Sequence, residues 1–586
     1  MLHTGPKKGV EYITLKPEDR ARILLPLAAS NAVVFDTETT GLHVRSKPSQ
    51  DECVCIGLCF VDLIEDEQTS VIVLPWDDGV RALVHEILDR AKAVVAHNLR
   101  FDAHAIDYDL PVEPKLEQKF IDTQMLWYFQ DTGARKSLDD LAPMFGYHDK
   151  LPTPKEIKRG LIREMDPREV YEYLADDVEA TVKIYLALRK RHKVTPWLGR
   201  VDMPLEGVVQ RMEQRGVMID VPLLENALSV AKSEIKGLEE EMSYVAGDIN
   251  FGSPKQLGEL FKRRGWPCGL TKTGQPSVTA EILEGLAPKL PFAEDLLKWR
   301  KFSKLKSAFF EPLLQMAGRG NGLVHASFNT MATKTGRFSC SDPNLQQAVN
   351  AREGAISVAS AVRASITHEG GVSAADYSQI EYRLAAAMAE EDALLDAFNS
   401  GGDPHSATAA KMFKVPLDQV SKLQRFRAKA VNFGTLFGMT PGGLMHQLKC
   451  SYAEASEFFD RHQQALPKLA AWTQERKQTY SAEMQASTRS GRTIRYTEYD
   501  NTDPGLSVEV QGTASEMMRA ALVGLEQADL EPIITVHDEA VCKGRGKAEA
   551  MAEVMQEAAE NAFPELAAMV RFPLDANDGD NWAEAH

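Results

Sequence analysis

Cysteine is scarce in this chain: seven in 586 residues, an odd number with no CxxC pair. That excludes a disulfide framework and a zinc module, and it fits a reducing cytoplasm. Long apolar runs are missing too. No stretch approaches the ~18 uninterrupted apolar residues of a membrane span, and the opening MLHTGPKKGVEYITLKPEDR has no apolar centre to act as an export signal. The expectation is a protein neither secreted nor membrane-embedded. Internal repeats and low-complexity tracts are also absent. Positive charge is in deficit, with 67 Lys and Arg against 84 Asp and Glu, a formal charge of −17. Read alone, that balance counts against a nucleic-acid partner. Net charge averages over the whole surface, however, whereas binding needs only a local basic track, and carboxylates that hold metal ions add acid to the total.

What is present is the make-up of a folded globular chain, 44% hydrophobic and 26% charged, which excludes a disordered, collagen-like or coiled-coil protein. At ~100 to 200 residues per domain the chain holds about three to five compact units. From about residue 30 to 190 the pattern is α/β. The runs AVVFDTETT, CVCIGLCFV, VIVLPW and AKAVVAHN predict strands, and REVYEYLADDVEATVKIYLALRKRH predicts a long amphipathic helix. Alternation in CVCIGLCFV places Cys53, Cys55 and Cys59 on one strand face as small core residues rather than metal ligands. Beyond TPWLGRVDMP the pattern turns helical. One helical segment carries Lys298, Arg300, Lys301, Lys304 and Lys306, either a solvated face or a phosphate-tracking one.

Two groups of acids carry chemistry. In Asp36-Thr37-Glu38 the strand period of two puts both carboxylates on one face, and like charges so placed are usually reconciled by a divalent cation. AVVAHNLRFD adds Asn98 and Asp102 at another strand end, and YEYLADDVEA sets Tyr173 and Asp177 four apart on a helix face. This pattern fits a two-metal phosphodiesterase centre. In the second group, SAADYSQIEYR reads as a strand, a turn holding Asp376 at its entrance, and a helix; a second strand, IITVHDEAV, delivers Asp538 and Glu539 behind His537. Between them, Arg425, Lys429, Phe433 and Phe437 recur every four residues along one helix. Two cations followed by two aromatic rings on one face suit a nucleoside triphosphate, with charge for its phosphates and a flat apolar surface for its sugar and base.

DTETTGL, AHNLRFD and YLADD resemble the three motifs of DnaQ-like 3′ to 5′ proofreading exonucleases, which have a ribonuclease-H-like fold. TKTGRFSCSDPNLQQ, DYSQIEYR, RFRAKAVNFGTLFG and VHDE, in that order, resemble family A DNA polymerases of the bacterial polymerase I type, and the likeness covers nearly the whole chain. The resemblance implies a multidomain α/β and α+β protein. An exonuclease domain (1–195) would precede a right-hand polymerase, with thumb (196–325), palm (326–390 and 489–586) and fingers (391–488). A separate 5′ nuclease domain is not expected, which leans towards a phage-like enzyme.

By the same resemblance Asp36, Glu38, Asp102 and Asp177 hold two ions (Mg2+, Mn2+ or Zn2+), and Tyr173 orients the attacking water. Asp376, Asp538 and the Tyr377 carbonyl hold two Mg2+. Arg425 and Lys429 grip the triphosphate, with Lys429 placed to protonate the leaving pyrophosphate. His405 touches the phosphates, Phe433 packs on the sugar, and Gln379 and Phe437 belong to the nucleotide site. Glu381 excludes a ribose 2′-hydroxyl, Arg337 and Gln511 read minor-groove acceptors, and His537 and Glu539 steady the primer end. Implied partners are primer-template DNA and deoxynucleoside triphosphates, plus replisome proteins that the sequence does not identify; a monomer in the cytoplasm, the host's if phage-encoded, is expected.

Several positions depart from the family pattern. Phe437 stands where tyrosine is usual, PNLQQ where PNLQN is usual, and Ser507 where asparagine is common. Two rival readings remain at this point, a nuclease whose carboxy-terminal part only binds DNA and a single-subunit RNA polymerase. Intact Asp376, Asp538, Lys429 and Arg425 weigh against the first, and Glu381 against the second.

Overall fold

The computed structural model describes residues 30–46, 51–61, 71–115, 119–191, 195–271, 273–348, 360–436, 438–500 and 505–586, with residues 3–4, 10–12, 20, 23–24, 26–27 and 358. The first third is a mixed sheet of β1 (His3–Thr4), β2 (Val10–Tyr12), β3 (Ala32–Thr39), β4 (Cys53–Val61), β5 (Val71–Pro75), β6 (Val94–Ala96) and β7 (Phe120–Asp122), in the order β1-β2-β5-β4-β3-β6-β7. The β3-β4 and β4-β5 pairs are antiparallel, whereas β6 joins β3 and β7 joins β6 in parallel. Helices α1 (Asp78–Arg90), α2 (Leu99–Ala105), α3 (Thr123–Gln130) and α4 (Pro167–Arg191) flank it. Strand alternation sends Val33, Phe35, Ile56 and Leu58 into one core with α1, and Val34, Cys55 and Cys59 into another with Leu174, Val178 and Val182 of α4.

The predicted strands and the long helix are all present, with one correction. Cys53 does not share a face with Cys55 and Cys59; it lies in the opposite core. Thr39 pairs with Cys53 while Glu38 pairs with Cys55, so one strand carries an extra residue there. Such a bulge inverts the in-and-out alternation beyond it. Close approach of α4 to the sheet depends on Gly57, where a Cβ would come within 2.8 Å of Val178. Gly57 is the register partner of Asp36, so the gap it leaves lets α4 bring Asp177 over the strand that carries the other acids.

Past α4 the chain becomes helical. Helix α5 (Met203–Arg215) leads to α6 (Val221–Ala246), and α6 packs against α7 (Pro291–Leu305), which runs through a π-turn at Lys306–Phe310 into α8 (Glu311–Arg319). Leu238, Met242, Phe261, Phe292 and Leu296 close a small separate core here. On the basic stretch, Lys298 pairs with Glu294 at 2.8 Å.

The carboxy-terminal part centres on an antiparallel sheet. Strand β8 (Val372–Tyr377) leads into α9 (Ile380–Met388), followed by α10 (Pro404–Phe413), α11 (Lys422–Leu436) and α12 (Tyr452–Ala465). The hairpin β9 (Gln485–Ser487) and β10 (Thr493–Arg495) precedes α13 (Gly505–Gln527). Strands β11 (Pro532–Val536) and β12 (Glu539–Lys543), helix α14 (Ala548–Ala562) and β13 (Leu574–Gly579) complete it, with sheet order β11-β12-β8-β13. Here the sequence reading needs a second correction. IITVHDEAV is not one strand: Val536 pairs with Glu539, and His537-Asp538 form the turn between β11 and β12. His537 adopts a left-handed backbone, φ 55°, which closes a two-residue hairpin without the glycine or asparagine that would have marked it.

The two parts meet across buried polar contacts. Tyr128 of α3 donates to the Thr333 carbonyl at 2.6 Å, and Thr132 N donates to the Thr493 carbonyl at 2.8 Å. Beneath them Asp202 accepts Arg492 at 3.0 Å and Arg519 at 2.8 Å, all three side chains fully buried.

Candidate active sites

The acids of the first group converge at the end of β3. Ligand oxygens of Asp36, Glu38 and Asp177 lie within 4.8 Å of one another. Asp102, on α2, is close enough to raise the pKa of Asp36, but its carboxylate is engaged by Thr37, taking the main-chain N at 3.2 Å and the hydroxyl at 2.6 Å. Burial, then mutual repulsion with Asp177 and Asp102, pushes Glu38 up to about 8, and burial followed by the neighbouring carboxylates raises Asp36 as well. Tyr173 stands beside Asp177 and donates to the Thr153 hydroxyl at 3.1 Å. Buried hard oxygens that cannot ionise together comfortably suit a divalent cation. All five expected residues are therefore neighbours, with three in ligating array and Asp102 held beside them.

The second group forms a separate centre. Asp376, at the end of β8, is in register with Glu539 and adjoins the turn carrying Asp538, whose carbonyl accepts Tyr377 N at 3.2 Å. Burial, then Asp538, pushes Asp376 up to about 7; burial also raises Asp538, against the nearby Arg337. Glu539 lies beside Asp376 and its charge also raises the Asp376 pKa, but the Glu539 carboxylate is engaged by other partners. It takes Trp582 Nε1 at 2.8 Å, His586 Nδ1 at 2.9 Å and Arg363 at 3.2 Å. His537 is exposed at the tip of the hairpin. Gln379 lies in the turn after β8 with φ 56°. Glu381, one residue into α9, is paired with Arg337 and hydrogen-bonded by Gln511, and burial pushes it up to about 7.

Helix α11 presents Arg425, Lys429 and Phe433 to a cavity of about 640 Å³ that Phe426 and Gln447 also line. Phe437 lies outside the described residues. Arg425 makes a two-pronged pair with Asp403, 2.7 and 2.9 Å. The ring of Phe433 is 5.6 Å from that of His405, which stacks on Tyr382 at 5.5 Å. Because Tyr382 follows Glu381 on α9, this stack ties the cation-bearing helix to the strand of Asp376. His405 is buried, and burial lowers its pKa to about 4. Asn432 Nδ2 donates to its Nδ1 at 3.0 Å while Asn432 Oδ1 accepts His462 Nε2 at 2.9 Å, so the neutral His405 carries its proton on Nε2.

Several participants left no mark in the sequence. Lys150 pairs with Asp177 at 2.8 Å and lies 5.1 Å from the Tyr173 ring centre, yet it sits in a loop with no periodic pattern. Asn432 and Arg363 act through partners distant in the chain. Thr37 alone was readable, as the middle residue of the Asp36-Thr37-Glu38 triplet.

Comparison with known proteins adds two matches within the chain. The pattern of DNA polymerase family A matches residues 222–584, and a 3′-5′ exonuclease pattern matches residues 12–193. DNA polymerase I of Rhizobium leguminosarum is 31% identical over 100% of this chain, and that of Pseudomonas aeruginosa 30% identical over 96%. The thermostable DNA polymerase I of Thermus aquaticus is 35% identical over 66% of this chain. The alignments span 62% and 64% of the first two relatives and 48% of the third. Among solved structures, the POL domain of Pol1 from M. smegmatis, in complex with DNA primer-template and dNTP, has the same fold, with a TM-score of 0.82, 24% identity, and coverage of 98% of this chain and 100% of that one.

Proposed function

The chain belongs to DNA polymerase family A and carries a 3′-5′ exonuclease domain, and from that premise we propose that it extends a primer with deoxynucleoside triphosphates on a DNA template and trims mismatched 3′ ends at a second centre. The observation that carries this reading is the pair of carboxylate centres on two separate sheets, one of them linked to a helix that offers two cations and an aromatic ring to a cavity.

In this reading Arg425 and Lys429 bind the triphosphate through charge-assisted hydrogen bonds, and Lys429 donates the proton that the departing pyrophosphate needs. His405 Nε2–H faces a phosphate and, through its tilted contact with the Phe433 ring, holds that ring against the sugar. Gln379 and Tyr377 shape the floor of the nucleotide site. Arg337 and Gln511 both hold the Glu381 carboxylate, so reading the minor-groove edge of the base pair and excluding a 2′-hydroxyl are coupled through one side chain. Glu539, anchored by Trp582, His586 and Arg363, holds the hairpin that sets His537 at the primer end. At the exonuclease centre Tyr173 orients the attacking water. Divalent cations held by Asp376, Asp538 and the Tyr377 carbonyl, and by Asp36, Glu38, Asp102 and Asp177, would activate the attacking oxygen and neutralise the leaving one. Two Mg2+ are proposed at the polymerase centre, and two Mg2+, Mn2+ or Zn2+ at the exonuclease centre.

The small core of α6 and α7 supports a thumb within 196–325, and the helices from 391 to 488 support fingers over a palm built from 326–390 and 489–586. Among the described residues no helix is long and apolar enough to cross a membrane; a monomer acting in the cytoplasm is proposed.

A labelled primer with a mismatched end, on a template, tests the reading. Asp36→Ala with Glu38→Ala should lower trimming by about 10²-fold or more and leave extension nearly intact, and Asp376→Ala or Asp538→Ala should do the reverse. Trimming by the first variant at the parent rate, or extension by either of the others, overturns the corresponding assignment.

A further inference from the structure

Helix α2 carries Asp102, yet much of what holds that helix lies outside the exonuclease sheet. Arg100 and His104, two residues to either side of Asp102, reach towards α5. There Glu213, whose side chain is 1% exposed, accepts His104 Nε2 at 2.9 Å and Phe328 N at 2.8 Å, with Arg100 Nε at 3.5 Å. Two turns earlier on α5, Glu206 takes Arg100 at 3.2 Å and the Thr330 hydroxyl at 2.6 Å. Helix α5 packs Leu205, Val208, Val209 and Met212 into the same core as the carboxy-terminal sheet, and it lies beyond the residues matched by the exonuclease pattern. On the opposite side Asp102 takes both donors of Thr37, the residue between Asp36 and Glu38.

Polar contacts thus run without a break from α5, through α2, to β3. Buried Arg100 is shared by the two carboxylates of α5, so removing either would leave it one counter-charge in place of two and loosen the restraint on where α2 can sit. We propose that Glu213 and Glu206 are positioning residues of the exonuclease centre: they set α2, and with it Asp102, from the polymerase side of the chain, so the cation affinity of that centre depends on a helix outside the exonuclease domain. The inference rests on the exonuclease reading above. It makes the proofreading centre complete only when docked on the polymerase body.

The test uses the full chain carrying Asp376→Ala and Asp538→Ala, so that Mn2+ reports the exonuclease centre alone, with free Mn2+ followed by electron paramagnetic resonance. Glu213→Gln should weaken Mn2+ binding about tenfold, the lower end of what outer-sphere partners contribute. The Mn2+ concentration for half-maximal trimming should rise by the same factor, with the rate recovered at saturation. Thr330→Val, which loosens Glu206 without removing a charge, should weaken binding about threefold, as part of one hydrogen bond to a carboxylate is felt at the cation site. In chains with Asp376 and Asp538 intact, primer extension should stay unchanged. Asp36→Ala is the control. If it abolishes Mn2+ binding while Glu213→Gln and Thr330→Val bind as the parent does, the positioning role falls and the exonuclease reading stands. Parallel loss of extension and Mn2+ affinity also overturns the proposal, since general loosening would move both. Full Mn2+ binding by Asp36→Ala overturns the exonuclease reading and the inference with it. Should Glu213→Gln not fold, Thr330→Val decides alone.

Discussion

Cation binding at the exonuclease centre should expel protons, and the number follows from the structure. Glu38 is pushed up to about 8 by burial and by Asp177 and Asp102, and Asp36 is raised for the same reasons. At pH 6.5 a group with that pKa is protonated in about 97% of molecules, and at pH 9 in about 10%, since the ratio changes tenfold per unit. A cation binds the carboxylate and not the acid, so each bound proton must leave. Mn2+ calorimetry in two buffers of different ionisation heat, in the Asp376→Ala, Asp538→Ala background, counts them. The parent should release about one proton more than Glu38→Gln at pH 6.5 and about 0.1 more at pH 9. Without metal the sign for stability is also set. The folded pKa of Glu38 lies above its ordinary 4.5, so its contribution is present below 4.5 and is lost as pH rises through about 8. Chelator should therefore lower the melting temperature more at pH 8 than at pH 5, and Glu38→Gln should remove part of that slope. Equal proton release by parent and Glu38→Gln at pH 6.5 would mean that Lys150 already keeps Glu38 ionised, and would refute the reasoning.

Three further outcomes are expected. Phe433→Tyr should ease incorporation of dideoxynucleotides by roughly 30- to 150-fold, about 2–3 kcal/mol, because a hydroxyl on the sugar-facing ring can replace the missing 3′-hydroxyl as a partner of the phosphates; an unchanged dideoxy-to-deoxy ratio would mean the ring does not face the sugar. Glu381→Ala should relax ribose exclusion and slow correct addition as well, since Arg337 and Gln511 lose a shared partner; a ribo-to-deoxy ratio equal to the parent's removes Glu381 as the gate. Asp202→Ala should destabilise the chain by about 3–5 kcal/mol, because Arg519 is left buried without a counter-charge and Arg492 keeps only Glu516 at 3.6 Å; denaturant titration checks this, and a loss under about 1 kcal/mol would show that water or Glu516 replaces Asp202.

What could be read along the chain was whatever has a local period or a local motif. Alternation in AVVFDTETT was enough for β3 and for the shared face of Asp36 and Glu38, and the helical spacing of YEYLADDVEA was enough for Tyr173 and Asp177 on α4. The four-residue step from Arg425 to Phe433 likewise placed both on one side of α11. Where a local rule is broken by a single residue, the same reasoning failed. The extra residue opposite Thr39 sent Cys53 to the other core, and the left-handed backbone of His537 folded one expected strand into a hairpin. The packing of distant segments decided the rest. Lys150 reaches Asp177, Asn432 bridges His405 and His462, and Glu213 holds the helix of Asp102 across 109 positions of chain. A strand or helix imprints its period on neighbouring residues because it repeats every few positions. A buried ion pair between remote segments repeats nothing, and it exists only once the cores on either side have closed.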